Sequence, residues 1–295
     1  MTVIFGTGYP APAPTPGFVQ QEDNFYLLQE DNSKLIIEQL ESEDLPATHA
    51  RIAHARNWLS GGTVTASTTA AGYFANAPMN TLTYEKWKPN ALAATWQYTH
   101  TSAVYCDYCC IGAHTMGTSG NSLQVQYYDG GWRDIIGTVA ITDNSDIFVI
   151  FNKLEHSRWR IRVSGGSAPE IGVIKFGAAL QMERPIFGGH APITLARKTV
   201  LKTNESETGE FLGISKWSSY LETSYAWQNL TATWIRQNWP DLQRAVETDA
   251  FFIAWRPQTY GEVGFGRAAA VPIPANSGVR NLMNVEMQLK ARSYD

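Results

Sequence analysis

The sequence predicts a mainly β protein: a jelly-roll β-sandwich, then a second β-rich domain with one main helix. Three observations carry this. The 295 residues are 44% hydrophobic, 12% aromatic and only 17% charged, with 24 glycines, a folded composition that leans toward strand. From about 51 to 185 the chain is a succession of short apolar runs separated by Gly/Asn/Asp turn clusters, the pattern of a sandwich or jelly roll. Helical periodicity is absent from that block, and the best helix candidate lies near 233–248.

In chain order, residues 1–17 read as an extended arm. "PAPAPTPG" (Pro10 to Gly17) favours polyproline conformation, and "VIF" gives an apolar tip. The arm is either loose or laid on a neighbouring subunit. Residues 18–50 supply strands that pack with the C-terminal domain. Within them "FYLLQEDNSKLIIEQL" (Phe25 to Leu40) reads as a hairpin about Asp31-Asn32-Ser33. Residues 51–185 form the sandwich, with strand runs such as "SLQVQYY", "DIFVIF" and "RWRIRVSG" divided by "GTSGN", "YDGGW" and "TDNSD". Residues 186–295 form a β-rich assembly domain. "APITLARKTVL" and "GEFLGISKW" flank the turn text "KTNESETG", and "TATWIRQNWPDLQRAVETDA" is the helix, with an N-terminal turn that would tolerate Pro240 and Asp241. In "NVEMQLKAR", Val285, Met287 and Leu289 alternate with Glu286, Gln288 and Lys290, as in a half-buried strand.

Net charge is −4, with no Lys/Arg run and no basic stripe with interleaved aromatics, so nucleic acid is not an expected partner. No window reaches 18 apolar residues, so no membrane span is expected, and the N-terminus lacks the layout of a secretory signal, which points to folding in a cytoplasm. The three cysteines all lie in "YCDYCCIGAH" (Tyr105 to His114). If this is a strand, Cys106 and Cys110 point one way with Tyr108 and His114, and Cys109 points the other. A tetrahedral metal needs converging thiolates, so these are read as small core residues, and no metal or other cofactor is expected. No nucleophile elbow, phosphate loop, dinucleotide fingerprint or helical His pair is present, and the aspartates Asp129, Asp134, Asp143 and Asp146 fall in hairpin turns, so no catalytic residue is assigned and no enzyme activity is expected.

"RNWLSGGTVTASTTAAGYFANAPMNTLTYEKWKP", "DYCCIGAHTMGTSGNSLQVQYYDGGWRDI" and "RWRIRVSGGSAPEIGVIKFGAALQMERPI" resemble the successive parts of a discoidin-like, galactose-binding-fold domain over about 51–186. The run from "IGVIKFGAALQMERP" straight into a second domain looks most like bacteriophage tail-tip and distal tail proteins. That resemblance implies a virion structural protein, made in the host cytoplasm. It implies a ring-shaped homo-oligomer through the N-terminal segment and the C-terminal domain, with other tail proteins as partners and host surface carbohydrate as the ligand of an outward sandwich. A stand-alone carbohydrate-binding module or a polysaccharide-acting tail enzyme is the alternative. Where many discoidin-like domains carry Asp-Gly, this chain has Met79-Asn80, which leaves a structural calcium without its usual carboxylate.

The expected sugar site is the loop "TTAAGYFANAPMN" with "EKWKP", because sugars stack their C–H faces on aromatic rings while amides fix the hydroxyls. It nominates Tyr73, Phe74, Asn76, Asn80 and Trp87, with His114 at the sandwich mouth. Trp87 and His114 each have a plain reading as core residues. The aromatic density of "TSYAWQNLTATWIRQNWP" nominates Trp227, Trp234 and Trp239, together with Tyr260 in the following Gly/Pro-rich loop, as core plus oligomer interface.

Overall fold

The computed structural model describes residues 2–7, 9, 15–18, 36–39, 47, 49–54, 61–278 and 281–294. The protein is mainly β. Its strands are β1 (Thr2–Phe5), β2 (Thr15–Phe18), β3 (Ile36–Gln39), β4 (Arg51–Ala53), β5 (Gly62–Ala66), β6 (Ala94–His114), β7 (Ser122–Tyr128), β8 (Trp132–Ala140), β9 (Ile147–Ser164), β10 (Ile171–Gly177), β11 (Leu180–Gln181), β12 (Arg197–Glu205), β13 (Phe211–Thr231), β14 (Phe251–Ala254), β15 (Val263–Ala268), β16 (Ala275–Asn276) and β17 (Leu282–Arg292). The helix α1 spans Ala232–Thr248.

One sheet runs β10-β6-β9-β7-β8, with β5 added on β6 and β1 parallel to β9. β6 and β9 are long enough to serve both halves of a sandwich. Their pairing breaks between Thr99 and Val104, and side chains from either side of the break meet in one core around Trp87, Trp96 and Trp159. Each such ring removes roughly 150–250 Å² from water, about 4–6 kcal/mol of transfer free energy at ~25 cal/mol per Å². The second sheet runs β11-β4-β14-β15-β17-β13-β12, with β16 on β17, and buries one face against α1. Its other face packs on the outside of the sandwich. Phe251 and Ile253 belong to the core shared with α1, while Phe252 and Ala254 join Tyr108, Cys110, Phe148 and Ile150. The four consecutive buried residues of β14 thus reflect a strand covered on both faces.

Several details depart from the sequence reading. Thr2–Phe5 is no free arm but a strand of the sandwich, paired with Ile147–Ile150. Arg51–Ala53, expected to open the sandwich, lies instead in the second sheet between β11 and β14. The turn expected at Asp31-Asn32-Ser33 and most of the proline-rich segment lie outside the described residues, while β2 and β3 pair with each other. The cysteine run is a buried strand, but a register shift between Cys106 and Tyr108 breaks its alternation. Cys106 therefore shares the sandwich core with Cys109, and Cys110 alone faces the second sheet. Burial pushes all three thiols well above the ordinary range.

The helix spans Ala232–Thr248, so Pro240 falls inside it and not in its N-terminal turn. The Thr231 hydroxyl caps it, accepting from Trp234 N at 3.3 Å, and Glu183 holds that cap, accepting from Thr231 N at 2.7 Å and from its Oγ1 at 2.8 Å. Pro240 sits inside the helix, on its exposed side. Finally, β9 alternation gathers Arg158, Arg160 and Arg162 on the face opposite Trp159, Ile161 and Val163. These arginines form a basic stripe with Trp159 interleaved in sequence, where the sequence reading expected none, because strand alternation collects charges that are not adjacent in the chain.

Candidate functional site

The loop between β5 and β6 carries five of the six nominated sugar-site residues, and its shape is fixed from below. Trp87 pairs its backbone with Ile171, N to O at 2.9 Å in both directions, and its indole donates to Thr68 O at 3.1 Å. The Trp96 indole donates to Ala75 O at 2.7 Å. Ala70 N donates to Lys88 O at 2.8 Å, closing the base of the loop. A turn follows in which Tyr73 N reaches Ala70 O at 3.2 Å; Gly72 sits there at φ +82°, a region that favours glycine. Asn76 then leads into a single 3-10 turn, Ala77–Met79, with Pro78 at its start.

On this base lies an open depression of about 500 Å³, lined by Gly72, Tyr73, Phe74, Asn76, Ala77, Asn80, Tyr84, Glu85 and Lys86. Phe74 is 68% exposed and Tyr84 74%, so two aromatic rings of the lining stand in solvent. Asn80 Nδ2 donates to Glu85 Oε2 at 2.7 Å, while its Oδ1 accepts from Leu82 N at 2.7 Å. Asn80 thus orients Glu85 and keeps one N–H donor and one acceptor lone pair for a ligand. Behind the lining residues Tyr73 and Lys86, Glu170 accepts from Tyr73 Oη and Lys86 Nζ, both at 2.7 Å, with Lys88 Nζ at 3.5 Å. Hydrogen bonds from Lys86 and Tyr73 hold the Glu170 carboxyl at about 2, well below its ordinary value, and the same bond raises the Tyr73 phenol. The lining offers aromatic faces, an amide, a fixed carboxylate and a tethered ammonium, in near charge balance.

The structure thus brings together Tyr73, Phe74, Asn76 and Asn80, and removes the other two nominees. Trp87 is fully buried beneath the loop. His114 is buried at the end of β6, where its Nε2 donates to Ser145 O at 2.7 Å and its Nδ1 accepts from Met116 N at 3.3 Å. Burial lowers its pKa to about 4, so it is a neutral histidine that ties loops together. Neither can stack on a sugar. Tyr84, Glu85, Lys86 and Glu170 complete the site and were not nominated. The first three lie in the quoted loop text, and Glu170 comes from the residue that precedes β10.

The proposed interface divides in the same way. Trp227 and Trp239 are core residues in edge contact at 6.2 Å, and the Trp239 indole donates to Pro272 O at 3.1 Å, so neither is free to meet a partner. Trp234 is half-buried against that core. Tyr260 is 47% exposed and stacks on Trp255 at 5.1 Å. The large exposed apolar surface lies elsewhere. Among the described residues, β12 pairs only with β13, the part of β13 from Phe211 to Ser219 pairs only with β12, and β17 joins at Tyr220. This two-stranded arm exposes Val200, Leu201, Phe211, Leu212, Ile214 and Trp217, the last at 79%.

No family model matches the chain, and no curated protein matches it. Among solved structures it is similar to a pectin-binding carbohydrate-binding module, at 14% identity over 39% of this chain and 88% of that one, TM-score 0.35. It is also similar to the family 32 module of C. perfringens NanJ in complex with galactose, at 15% identity over 42% and 98%, TM-score 0.35. A third is a Clostridium perfringens module in complex with GalNAc-β-1,3-galactose, at 10% identity over 43% and 100%, TM-score 0.37.

Proposed function

We propose that the chain is a non-catalytic glycan-binding protein whose sandwich takes a sugar in the depression at Phe74. The observation that carries this reading is the preformed loop: two buried indoles clamp its backbone, and it holds two exposed rings beside fixed polar groups. Pre-organisation of this kind reduces the ordering cost of binding, and stacking removes the apolar face of a sugar ring from water. Glu170 is engaged on both oxygens by Tyr73 and Lys86, which suits a positioning role and leaves it no free proton to transfer. The test is saturation-transfer NMR with galactose, mannose and N-acetylgalactosamine. Transfer that disappears in Phe74→Ala and Tyr84→Ala supports the site, and no transfer from any of the three overturns it.

We further propose, from the resemblance of the sequence to tail proteins, a structural subunit of a bacteriophage tail, made in the host cytoplasm, ringed with copies of itself and joined to other tail proteins; of this, the exposed arm supports the self-association alone. A two-stranded ribbon is at best marginally stable alone in water, and contiguous exposed apolar surface of this kind marks an interface. Large obligate interfaces bury roughly 2,000 Å² or more, and the arm offers a place for such burial. Light scattering of the purified chain tests it: a strictly monomeric protein at high concentration overturns the ring.

A further inference from the structure

We propose that the outer face of the sandwich, around Arg158, Arg160 and Arg162, is a second binding site, for an acidic polysaccharide that carries regularly spaced carboxylates. These arginines alternate along β9, so their Cα atoms lie about 6.6 Å apart on one face. Each is held in place by neutral groups. Arg160 Nε donates to Gln126 Oε1 at 2.6 Å and its guanidinium lies 3.9 Å from the Trp132 ring centre. Arg162 Nη1 donates to Gln124 Oε1 at 3.0 Å. Arg158 lies over Tyr128 at 5.0 Å. The only carboxylate in this network is Asp134, which accepts from Gln126 Nε2 at 2.6 Å and so reaches Arg160 through the amide.

Among the described residues none of the three arginines forms an ion pair. Three guanidiniums against one indirectly placed carboxylate are an uncommon arrangement for a face that only needs to be wet. A guanidinium has five donors, and stacking with one glutamine bond leaves most of the planar fork open for bidentate contact with a carboxylate. The aromatic rings fix the forks without neutralising them.

The chemistry favours a polysaccharide over a nucleic acid. Single-stranded nucleic acid needs aromatic faces for its bases, and here Trp132 and Tyr128 already carry guanidiniums. Gln97 and Thr99, from the neighbouring strand and hydrogen-bonded to each other at 3.1 Å, offer amide and hydroxyl groups suited to sugar hydroxyls. The chain as a whole is also acidic, at −4. This site is independent of the depression at Phe74.

The test is native affinity electrophoresis through gels containing polygalacturonate, its fully methyl-esterified form, or oligo-dT20. The expected result is retardation by polygalacturonate alone, weakened by added salt. The triple variant R158Q/R160Q/R162Q should bind about tenfold more weakly, at an unchanged urea midpoint. Should the triple variant fold poorly, Arg158→Gln alone keeps the test, because that side chain is exposed and, among the described residues, lies against Tyr128 alone; it should weaken binding a few-fold. Phe74→Ala should leave this retardation unchanged. The proposal is overturned if polygalacturonate does not retard the protein, if the arginine variants bind as the parent does, or if the methyl ester or oligo-dT20 is bound equally well.

Discussion

Trp87 and Phe74 stand in one stretch of loop text and look interchangeable as sugar platforms, yet the structure gives them opposite roles. Trp87→Ala would empty a fully buried site, and large aromatic-to-alanine changes in cores cost about 3–5 kcal/mol. It would also strip Thr68 O of its indole donor, about 1–3 kcal/mol if the carbonyl stays dry. The two losses overlap, so a total near 4–6 kcal/mol is expected, a large part of the stability of an ordinary domain. Phe74→Ala removes a ring that is 68% exposed, and its effect on stability should stay within about 0.5 kcal/mol. Urea unfolding followed by tryptophan fluorescence measures both, and saturation-transfer NMR measures sugar binding in parallel. Trp87→Phe separates the contributions, since it keeps most of the ring volume and loses the donor. If Trp87→Ala is as stable as Phe74→Ala, the clamp under the loop does not exist as described and the argument for a preformed site fails with it.

Three further outcomes are expected. Ellman's reagent should leave all three thiols unmodified in the native protein and titrate three in denaturant, because burial raises each thiol; fast native reaction of any one contradicts the packing. Leu212→Ser with Trp217→Ser should lower the oligomeric mass while leaving the urea midpoint within about 1 kcal/mol of the parent, since both side chains are exposed; an unchanged mass removes the arm from the assembly. His114 and Asp146 should oppose each other in acid. His114 is lowered by burial from 6.5 to about 4, so its contribution is complete above 6.5 and is lost as pH falls through 4. Asp146, fully buried beside Tyr294, is raised from 3.8 to about 6, so its contribution is complete below 3.8 and is lost as pH rises through 6. Each slope approaches ~1.4 kcal/mol per pH unit between 4 and 6. Asp146→Asn should therefore gain stability from pH 4.5 to 6, and His114→Asn should lose it; urea midpoints with the same slope in both variants refute the assignment.

The β class, the helix and the loop that carries the depression were legible because each rests on local signals: turn clusters, a 3.6-residue period, a concentration of aromatic and amide side chains. What failed was whatever depends on the far side of a strand. Trp87 looks like a platform until Ile171 pairs with it from β10 and buries it. Glu170 is an ordinary acid in "SAPE" until that pairing sets it against Tyr73 and Lys86. Trp227 and Trp239 look like an interface, but α1 folds over β13 and encloses both.

Period-two alternation bears on both the cysteines and the arginines, with opposite outcomes. For the cysteines a register shift between Cys106 and Tyr108 breaks the alternation and moves one thiol from one core to the other. Local sequence does not reveal such a shift, since the partner strand makes it. "RWRIR" contains no two adjacent charges, and a search for runs passes over it. Read as a strand, the same five residues send Trp159 and Ile161 into the core and three guanidiniums outward, so a basic ladder is implied wherever that segment is extended. Charge patterning in β proteins therefore has to be counted along alternate positions, and on that count this acidic chain carries a concentrated positive face.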